Sequence, residues 1–164
     1  MPTFVDVLVL GAGGHGQVVA DVLLQMRAAG ERVRIVGFLD DDPRLAGGYC
    51  LGLPVLGALD QVSRLAHDAV IVAVGDNAAR QRIYQAARQS GERFVTAIHP
   101  RSVIGSEVQV GEGTVICPGV VVNTGTRIGA NTILNTACTV DHHNRIGDHA
   151  HIAPGAHLGG DVRI

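Results

Sequence analysis

Five of the eight histidines of this 164-residue chain fall between Asp141 and His157: His142, His143, His149, His151 and His157. Asp141 and Asp148 lie among them. A free imidazole titrates at about 6.5, so a histidine suits general-base work at neutral pH, and a carboxylate partner would fix its tautomer. One outward histidine is ordinary surface. Five in so short a segment, with carboxylates beside them, mark a candidate site. His142, two residues after the aliphatic Val140, is the candidate base, with Asp141 or Asp148 as its orienting carboxylate.

A second set of chemically capable residues lies near the other end. Gly11-Ala12-Gly13-Gly14-His15-Gly16 carries glycines in the three places of the dinucleotide fingerprint. Residues without Cβ let backbone N–H groups approach a phosphate at a helix N-terminus. Asp40 and Asp41 follow an apolar run and are suited to bond a ribose or a nucleobase; Asp42, before Pro43, reads as a solvated turn. Gly75-Asp76-Asn77 ends a third apolar run. The glycine motif alone also fits a tight turn with no ligand. Strand, loop, helix, strand and acid in that order make it a nucleotide-site expectation.

The elements that must position these residues differ between the two parts. Residues 1–96 read as alternating strand and helix: strands at Phe4–Leu10, Arg34–Leu39 and Ala69–Val74, helices at Gln17–Ala29 and Ala78–Gln89. Such alternation predicts a parallel sheet covered on both faces, with ligands beyond the carboxyl ends of its strands. Its small size matches one mononucleotide-binding half, so it favours one nucleotide or a nucleotide-sugar over a full dinucleotide.

Residues 97–164 obey a different rule. From Ile98 to Ile164 every sixth position is Ile, Val or Leu, and a second column of mostly small residues, among them Thr114, Thr126, Thr132, Cys138 and Asn144, falls four residues after each. Neither a helical period nor strand alternation gives a six-residue beat; a hexapeptide solenoid does. With three hexapeptides to a triangular coil, this segment makes between three and four coils, about 18 Å tall at the strand spacing of parallel sheets. So short a prism exposes strand edges and flat faces that side-by-side packing would cover. The pattern stops in mid-repeat at Ile164, which reads as a truncated solenoid.

The bulk composition excludes several classes. A net charge of −2 and only five aromatic residues (two Tyr, three Phe, no Trp) offer neither a basic field nor a stacking platform for nucleic acid. No apolar run is long enough to span a membrane, and nothing resembles a signal peptide. Three cysteines without metal-ligand spacing read as reduced thiols, and the expected setting is the cytoplasm. No metal is expected either. Zinc needs three or four converging ligands, no two histidines are five apart as in zinc-dependent hexapeptide enzymes, and a six-residue separation such as His143/His149 puts side chains on different faces.

Taken together, Gly11–Gly16, Phe38-Leu39-Asp40-Asp41, Ala73–Asn77 with Arg80 and Tyr84, Ile98-His99-Pro100, Ile133–Thr136, Val140–His143 and Ala150–Gly155 resemble one family. It is the hexapeptide-repeat sugar acetyltransferases, which include nucleotide-aminosugar N-acetyltransferases and sialic acid O-acetyltransferase-like proteins. The resemblance implies a small Rossmann-like parallel-sheet domain followed by a left-handed parallel β-helix, assembled as a homotrimer, with acetyl-CoA as co-substrate. It implies that Gly13, Gly14, His15, Asp40, Asp41 and Asn77 bind the nucleotide-sugar. His142 would be the general base, with Asn135 orienting the acceptor and Asp141 beside it. His151 and Gly160 would lie at the acyl donor. Relatives often carry an acidic residue directly after the catalytic histidine, where this chain has His143.

The expected reaction is therefore N-acetylation of a nucleotide-linked 4-amino-4,6-dideoxy sugar for surface glycans. An O-acetyltransferase of sialic acid type is its nearest competitor. A nicotinamide oxidoreductase would leave the solenoid without a task, and a non-catalytic nucleotide-sugar-binding protein would release no thiol from acetyl-CoA.

Overall fold

The computed structural model describes residues 4–164 and divides into two compact units, one running up to Val95 and the other from Thr96 to Ile164. The first is a five-stranded sheet of order β3-β4-β2-β1-β5. β1 (Val5–Leu10), β2 (Val33–Leu39), β4 (Leu53–Gly57) and β5 (Ala69–Val72) run parallel, and β3 (Tyr49–Cys50) pairs antiparallel with β4. Val7, Leu8 and Val9 on the interior strand β1 are wholly buried, as a strand covered on both faces requires. Helix α1 (Gly14–Ala28) turns Val19, Ala20, Val22 and Leu23 inward, and α2 (Asn77–Gln89) buries Tyr84 and Ala87.

Two features depart from the sequence expectation. α1 begins at Gly14 rather than Gln17, because Gly13 serves as N-cap and the poor helix propensity of glycine hides the first turn. β3, β4 and the short 3-10 helix Leu59–Arg64 were not foreseen. Pro54 argues against an interior strand, yet β4 tolerates it because its ladder to β2 is short, pairing only Phe38 with Val55 and Leu39 with Gly57.

The second unit consists of eleven two-residue strands, β6 to β16 along the chain, all in parallel pairs. Strands β6 (Ala97–Ile98), β9 (Val115–Ile116), β12 (Ile133–Leu134) and β15 (His151–Ile152) stack as a first face. The second face is β7 (Val103–Ile104), β10 (Val121–Val122), β13 (Thr139–Val140) and β16 (His157–Leu158). The third is β8 (Gln109–Val110), β11 (Arg127–Ile128) and β14 (Arg145–Ile146). Their register, with Ile116 beside Leu134 and Val122 beside Val140, is the eighteen-residue coil expected of three hexapeptides. Ile116, Leu134, Val122 and Val140 are fully buried; each such side chain contributes about 1.5–3 kcal/mol.

The column of small residues does more than fill space. Thr114, Thr126 and Thr132 are fully buried, and each hydroxyl donates to a carbonyl fifteen residues on, Thr126 to Asp141 at 2.9 Å and Thr132 to Gly147 at 3.0 Å. Buried hydroxyls are thereby satisfied while they tie successive coils together. Cys138 in this column and Cys117 next to Ile116 are also sealed inside, and burial pushes both thiols up to about 11, which leaves them inert as nucleophiles. Among the described residues no helix is long and apolar enough to cross a membrane.

Candidate functional site

In the α/β unit the glycine loop leaves β1 and enters α1, and its four glycines divide sharply. Gly11 has φ +118° and lies against Ala73, where an added Cβ would come 2.7 Å from the carbonyl oxygen. At Gly16 a Cβ would meet the Gly11 carbonyl oxygen at 2.1 Å. These two are demanded by packing. Gly13 and Gly14 face open space, with nothing within 4 Å of an added Cβ. Nothing inside the protein requires glycine there; an approaching ligand would. His15 follows, half buried, on the first turn of α1.

The acids of this unit grip backbone. Asp40 accepts from the Ala12 N–H at 2.7 Å with one oxygen and from the Asp42 N–H at 2.9 Å with the other. It therefore shapes the glycine loop. Asp41 accepts from the Leu59 N–H at 2.9 Å, at the start of the 3-10 helix. Asp42 pairs with Arg44 on the surface, and that contact lowers its carboxyl to about 2. Asp76 caps α2 by accepting from Ala79 N–H at 2.8 Å. Asn77 accepts from Arg80 at 2.8 Å. The buried Arg80 guanidinium also donates to the carbonyls of Val74 and Gly75 at 3.2 Å each, and burial lowers its pKa.

Of the residues expected to bind a nucleotide-sugar, Asp40 and Asp41 line one cavity of about 360 Å³ with Gly11 and Leu59. Gly13, Gly14, His15 and Asn77 do not line it. Arg82, on α2, does, and sequence reading missed it. A cation beside a glycine loop suits a phosphate, but the only signal was one arginine among several on the helix.

In the solenoid the five clustered histidines are dispersed. His142 and His143 form the corner after β13, His149 lies in the corner after β14, His151 is on β15 and His157 on β16. Each of the last three has a neighbour of its own: Asn131 for His149 at 2.8 Å, Asn135 for His151 at 3.0 Å and Thr139 for His157 at 2.8 Å. The single five-histidine site suggested by the sequence is not formed. Among the described residues no three His, Cys, Asp or Glu side chains are placed to hold a metal.

The His142 corner is built with care. Asn144, fully buried, donates to the carbonyls of Asp141 at 2.6 Å and Gly159 at 2.8 Å, and accepts from the Val162 N–H at 2.8 Å. It pins both sides of the turn that carries His142. The only sequence signal was an amide in a column of otherwise small or aliphatic residues. Asp141 accepts from Asn123 at 2.7 Å and from the His142 backbone N–H at 2.8 Å; these bonds, the Asn123 one foremost, lower its pKa. Asp141 thus holds the backbone of His142 rather than its ring. Asp148 bonds Ala130 N–H at 2.7 Å in another corner, so neither expected carboxylate reaches the His142 imidazole. Instead Nδ1 of His142 lies 3.1 Å from Nδ1 of His143.

Gly160 stands one coil after His142, and a Cβ there would meet the ring at 2.5 Å, so glycine is what lets the ring lie where it does. Both His142 and Gly160 are exposed. Asn135 and His151 share a different corner, joined to each other but not to His142. Thus Asp141, His142 and Gly160 are brought together, and Asn135 with His151 form a second group.

A glycine-loop α/β unit is thus followed by a hexapeptide β-helix that displays an exposed histidine on a backbone-anchored corner. Residues 6–87 match the PglD N-terminal domain family. UDP-N-acetylbacillosamine N-acetyltransferase of Bacillus subtilis (strain 168) is 32% identical over 115 residues, 68% of this chain and 50% of that protein. GDP-perosamine N-acetyltransferase of Escherichia coli O157:H7 is 31% identical over 159 residues, 95% of this chain and 71% of the relative. The chain therefore spans between half and about seven tenths of the length of these relatives.

Among solved structures, the acetyltransferase domain of PglB from Neisseria gonorrhoeae in complex with acetyl coenzyme A superposes with a TM-score of 0.88 at 36% identity, covering 98% of this chain and 76% of that one. A histidine-to-asparagine mutant of perosamine N-acetyltransferase from Caulobacter crescentus, in complex with CoA and GDP-perosamine, gives 0.84 at 37% identity, covering 96% and 73%. The chain belongs to the hexapeptide-repeat sugar acetyltransferase family, and its solenoid is a left-handed parallel β-helix.

Proposed function

We propose that this protein transfers an acetyl group from acetyl-CoA to the amine of a nucleotide-linked 4-amino-4,6-dideoxy sugar, with His142 as general base. The observation that carries this reading is the His142 corner. An exposed imidazole stands on a turn whose backbone is held by Asp141 and Asn144, and it lies against a glycine that leaves room for it. The kinship with enzymes named for UDP-N-acetylbacillosamine and GDP-perosamine supports the acceptor class. The neighbours solved with acetyl coenzyme A and with CoA support the donor.

In this reading the open Gly13-Gly14 turn and the cavity of Asp40, Asp41 and Arg82 receive the nucleotide. Backbone N–H groups take the phosphate, and Asp41 is exposed to accept from the nucleoside. Acetyl-CoA supplies a thioester. Gly159, with nothing within 4 Å of an added Cβ, leaves the backbone next to Gly160 and the His142 ring open to a planar acyl group, and a nearby N–H can stabilise an oxyanion. As the sugar nitrogen forms its bond to the acyl carbon and the carbon–sulfur bond breaks, His142 takes the proton from that nitrogen and passes it to the departing thiolate, so CoA leaves as the free thiol. The Asn135–His151 pair is assigned to positioning the acceptor and donor from the neighbouring corner. The working form is read as a homotrimer in the cytoplasm, supported by the flat prism faces, one of which carries the exposed Val103 and Ile104.

The test is thiol release from acetyl-CoA with UDP-, GDP- and dTDP-linked 4-amino sugars, comparing wild type with His142→Ala. Turnover of one amino sugar, lowered by a factor of about 10² or more in the variant, is the expected outcome. Turnover untouched by the substitution would remove His142 from the mechanism.

A further inference from the structure

The residue after the base is a second histidine, and the two rings are placed as a pair. His142 lies against Gly160, one coil later, while His143 folds over Gly125, one coil earlier, where an added Cβ would come 2.8 Å from its Cδ2. The rings therefore splay in opposite directions along the prism. Their Nδ1 atoms nevertheless meet at 3.1 Å, with centroids 5.3 Å apart in an edge-on arrangement. His143 has φ +58°, a left-handed conformation at the corner.

We propose that His143 is the positioning residue for His142 and that its Nδ1 accepts the His142 Nδ1–H, in the place a carboxylate would take. This rests on His142 being the base. The proton count fixes the consequence. In the working form His142 carries its proton on Nδ1 and donates it to His143, so its Nε2 lone pair is free to take the substrate proton. His143 is then neutral and carries its own proton on Nε2. When His143 gains a second proton, its Nδ1 becomes a donor. His142 must then accept, its one proton moves to Nε2, and the base is blocked. Protonation of either ring disables the site, unlike a histidine oriented by a carboxylate.

The charged neighbours are few. Glu107, Arg127 and Arg145 line one cavity with His143. Asp141 is committed to Asn123 and the His142 N–H, and Asp161 occupies the next turn, bonded through its N–H to the His142 carbonyl at 3.0 Å. None of these supplies the His142 ring with an acceptor, and all are present alike in the variants below.

The experiment combines tautomer determination by ¹⁵N NMR with pH–rate profiles for wild type, His143→Asn and His143→Ala. Asn tolerates the left-handed backbone and offers a carbonyl acceptor that does not titrate, so it keeps the test available should the Ala variant fail to fold. Wild-type His142 is expected as the Nδ1–H tautomer, reverting to Nε2–H in His143→Ala. The acid limb of kcat/KM should differ between wild type, where the proposed pair binds protons as a coupled unit, and His143→Asn, where the partner does not titrate. His143→Ala should lower kcat by about tenfold or more, within the roughly 10²–10⁴ that general-base catalysis contributes as a whole. The same His142 tautomer in all three proteins, or superimposable acid limbs in wild type and His143→Asn, would overturn the proposal. Full turnover by His142→Ala would sink the base assignment instead, while the tautomer measurement still decides whether the rings are paired.

Discussion

The α/β unit and the β-helix build their sites by opposite means. In the α/β unit, polar side chains hold the backbone: Asp40 takes the N–H groups of Ala12 and Asp42, Asp41 that of Leu59, Asp76 that of Ala79, and Arg80 two carbonyls. What is left facing outward is main chain at Gly13 and Gly14. In the β-helix the ladder holds the backbone, helped at the corners by Asp141, Asn144 and the buried threonines, and what faces outward is side chain, His142 among them. A backbone-made site suits a phosphate, which needs N–H groups and no particular residue. A side-chain site suits proton transfer, which needs one group at one place. The difference implies that the first site is sensitive to added atoms and the second to removed ones.

The largest test of that contrast is Leu134→Ala, which removes a wholly buried side chain from the stack and should cost about 2–5 kcal/mol. Chemical denaturation would measure it. A cost below about 1 kcal/mol, typical of exposed positions, would mean that the ladder does not depend on its aliphatic column. Asn144→Ala comes next. It takes the side-chain partner from the Gly159 carbonyl and the Val162 N–H, while the Asp141 carbonyl keeps the Thr126 hydroxyl, at about 1–3 kcal/mol for each group left unsatisfied, and it loosens the turn under His142. Both stability and kcat should fall. A loss of stability alone would show that the turn holds the base without this anchor.

In the α/β unit two glycine substitutions should have opposite signs. Gly16→Ala forces a Cβ to within 2.1 Å of the Gly11 carbonyl oxygen and should destabilise by about 1–3 kcal/mol or more. Gly14→Ala meets nothing, lies in the first turn of α1, and should stabilise by about 0.5–1 kcal/mol through helix propensity while weakening nucleotide binding. Thermal melts and nucleotide titration would separate them. Unchanged nucleotide affinity in Gly14→Ala would break the idea that this turn is open for a ligand.

What could be read from the sequence follows the same division. Hexapeptide columns repeat, so Ile116, Leu134 and Ile152 announced the coil long before any contact was visible. Periodicity did not announce which polar residues meet. Proximity in a triangular coil depends on position modulo eighteen, so His142 and His157, close in sequence, stand on different elements while His142 and Gly160 touch. Asp40 was legible as an acid at a strand end, but its commitment to Ala12 was not, because that bond depends on the path of the loop. β4 was hidden by Pro54, and Arg82 by the other arginines of α2.

The smallest effect expected concerns acid pH, and it discriminates between the groups of the His142 corner. The Asp141 carboxyl is held below its ordinary value of 3.8, first by the Asn123 amide and then by the His142 N–H. A carboxylate with a depressed folded-state pKa contributes stability that is fully present above the unfolded value and lost as pH falls through the folded one. Asp141 therefore stays charged and keeps its grip on the His142 backbone throughout the range from pH 8 to 5, and its release belongs below 3.8. Asn123→Ala should raise the Asp141 pKa toward 3.8, read from its carboxyl resonance, and leave the neutral-pH rate nearly unchanged. Any loss of activity between pH 7 and 5 then has a source other than this carboxylate. If Asn123→Ala instead shifts the acid limb of the rate near neutrality, the backbone anchor and the ring chemistry of this corner are not separable, and the contrast with the α/β unit weakens accordingly.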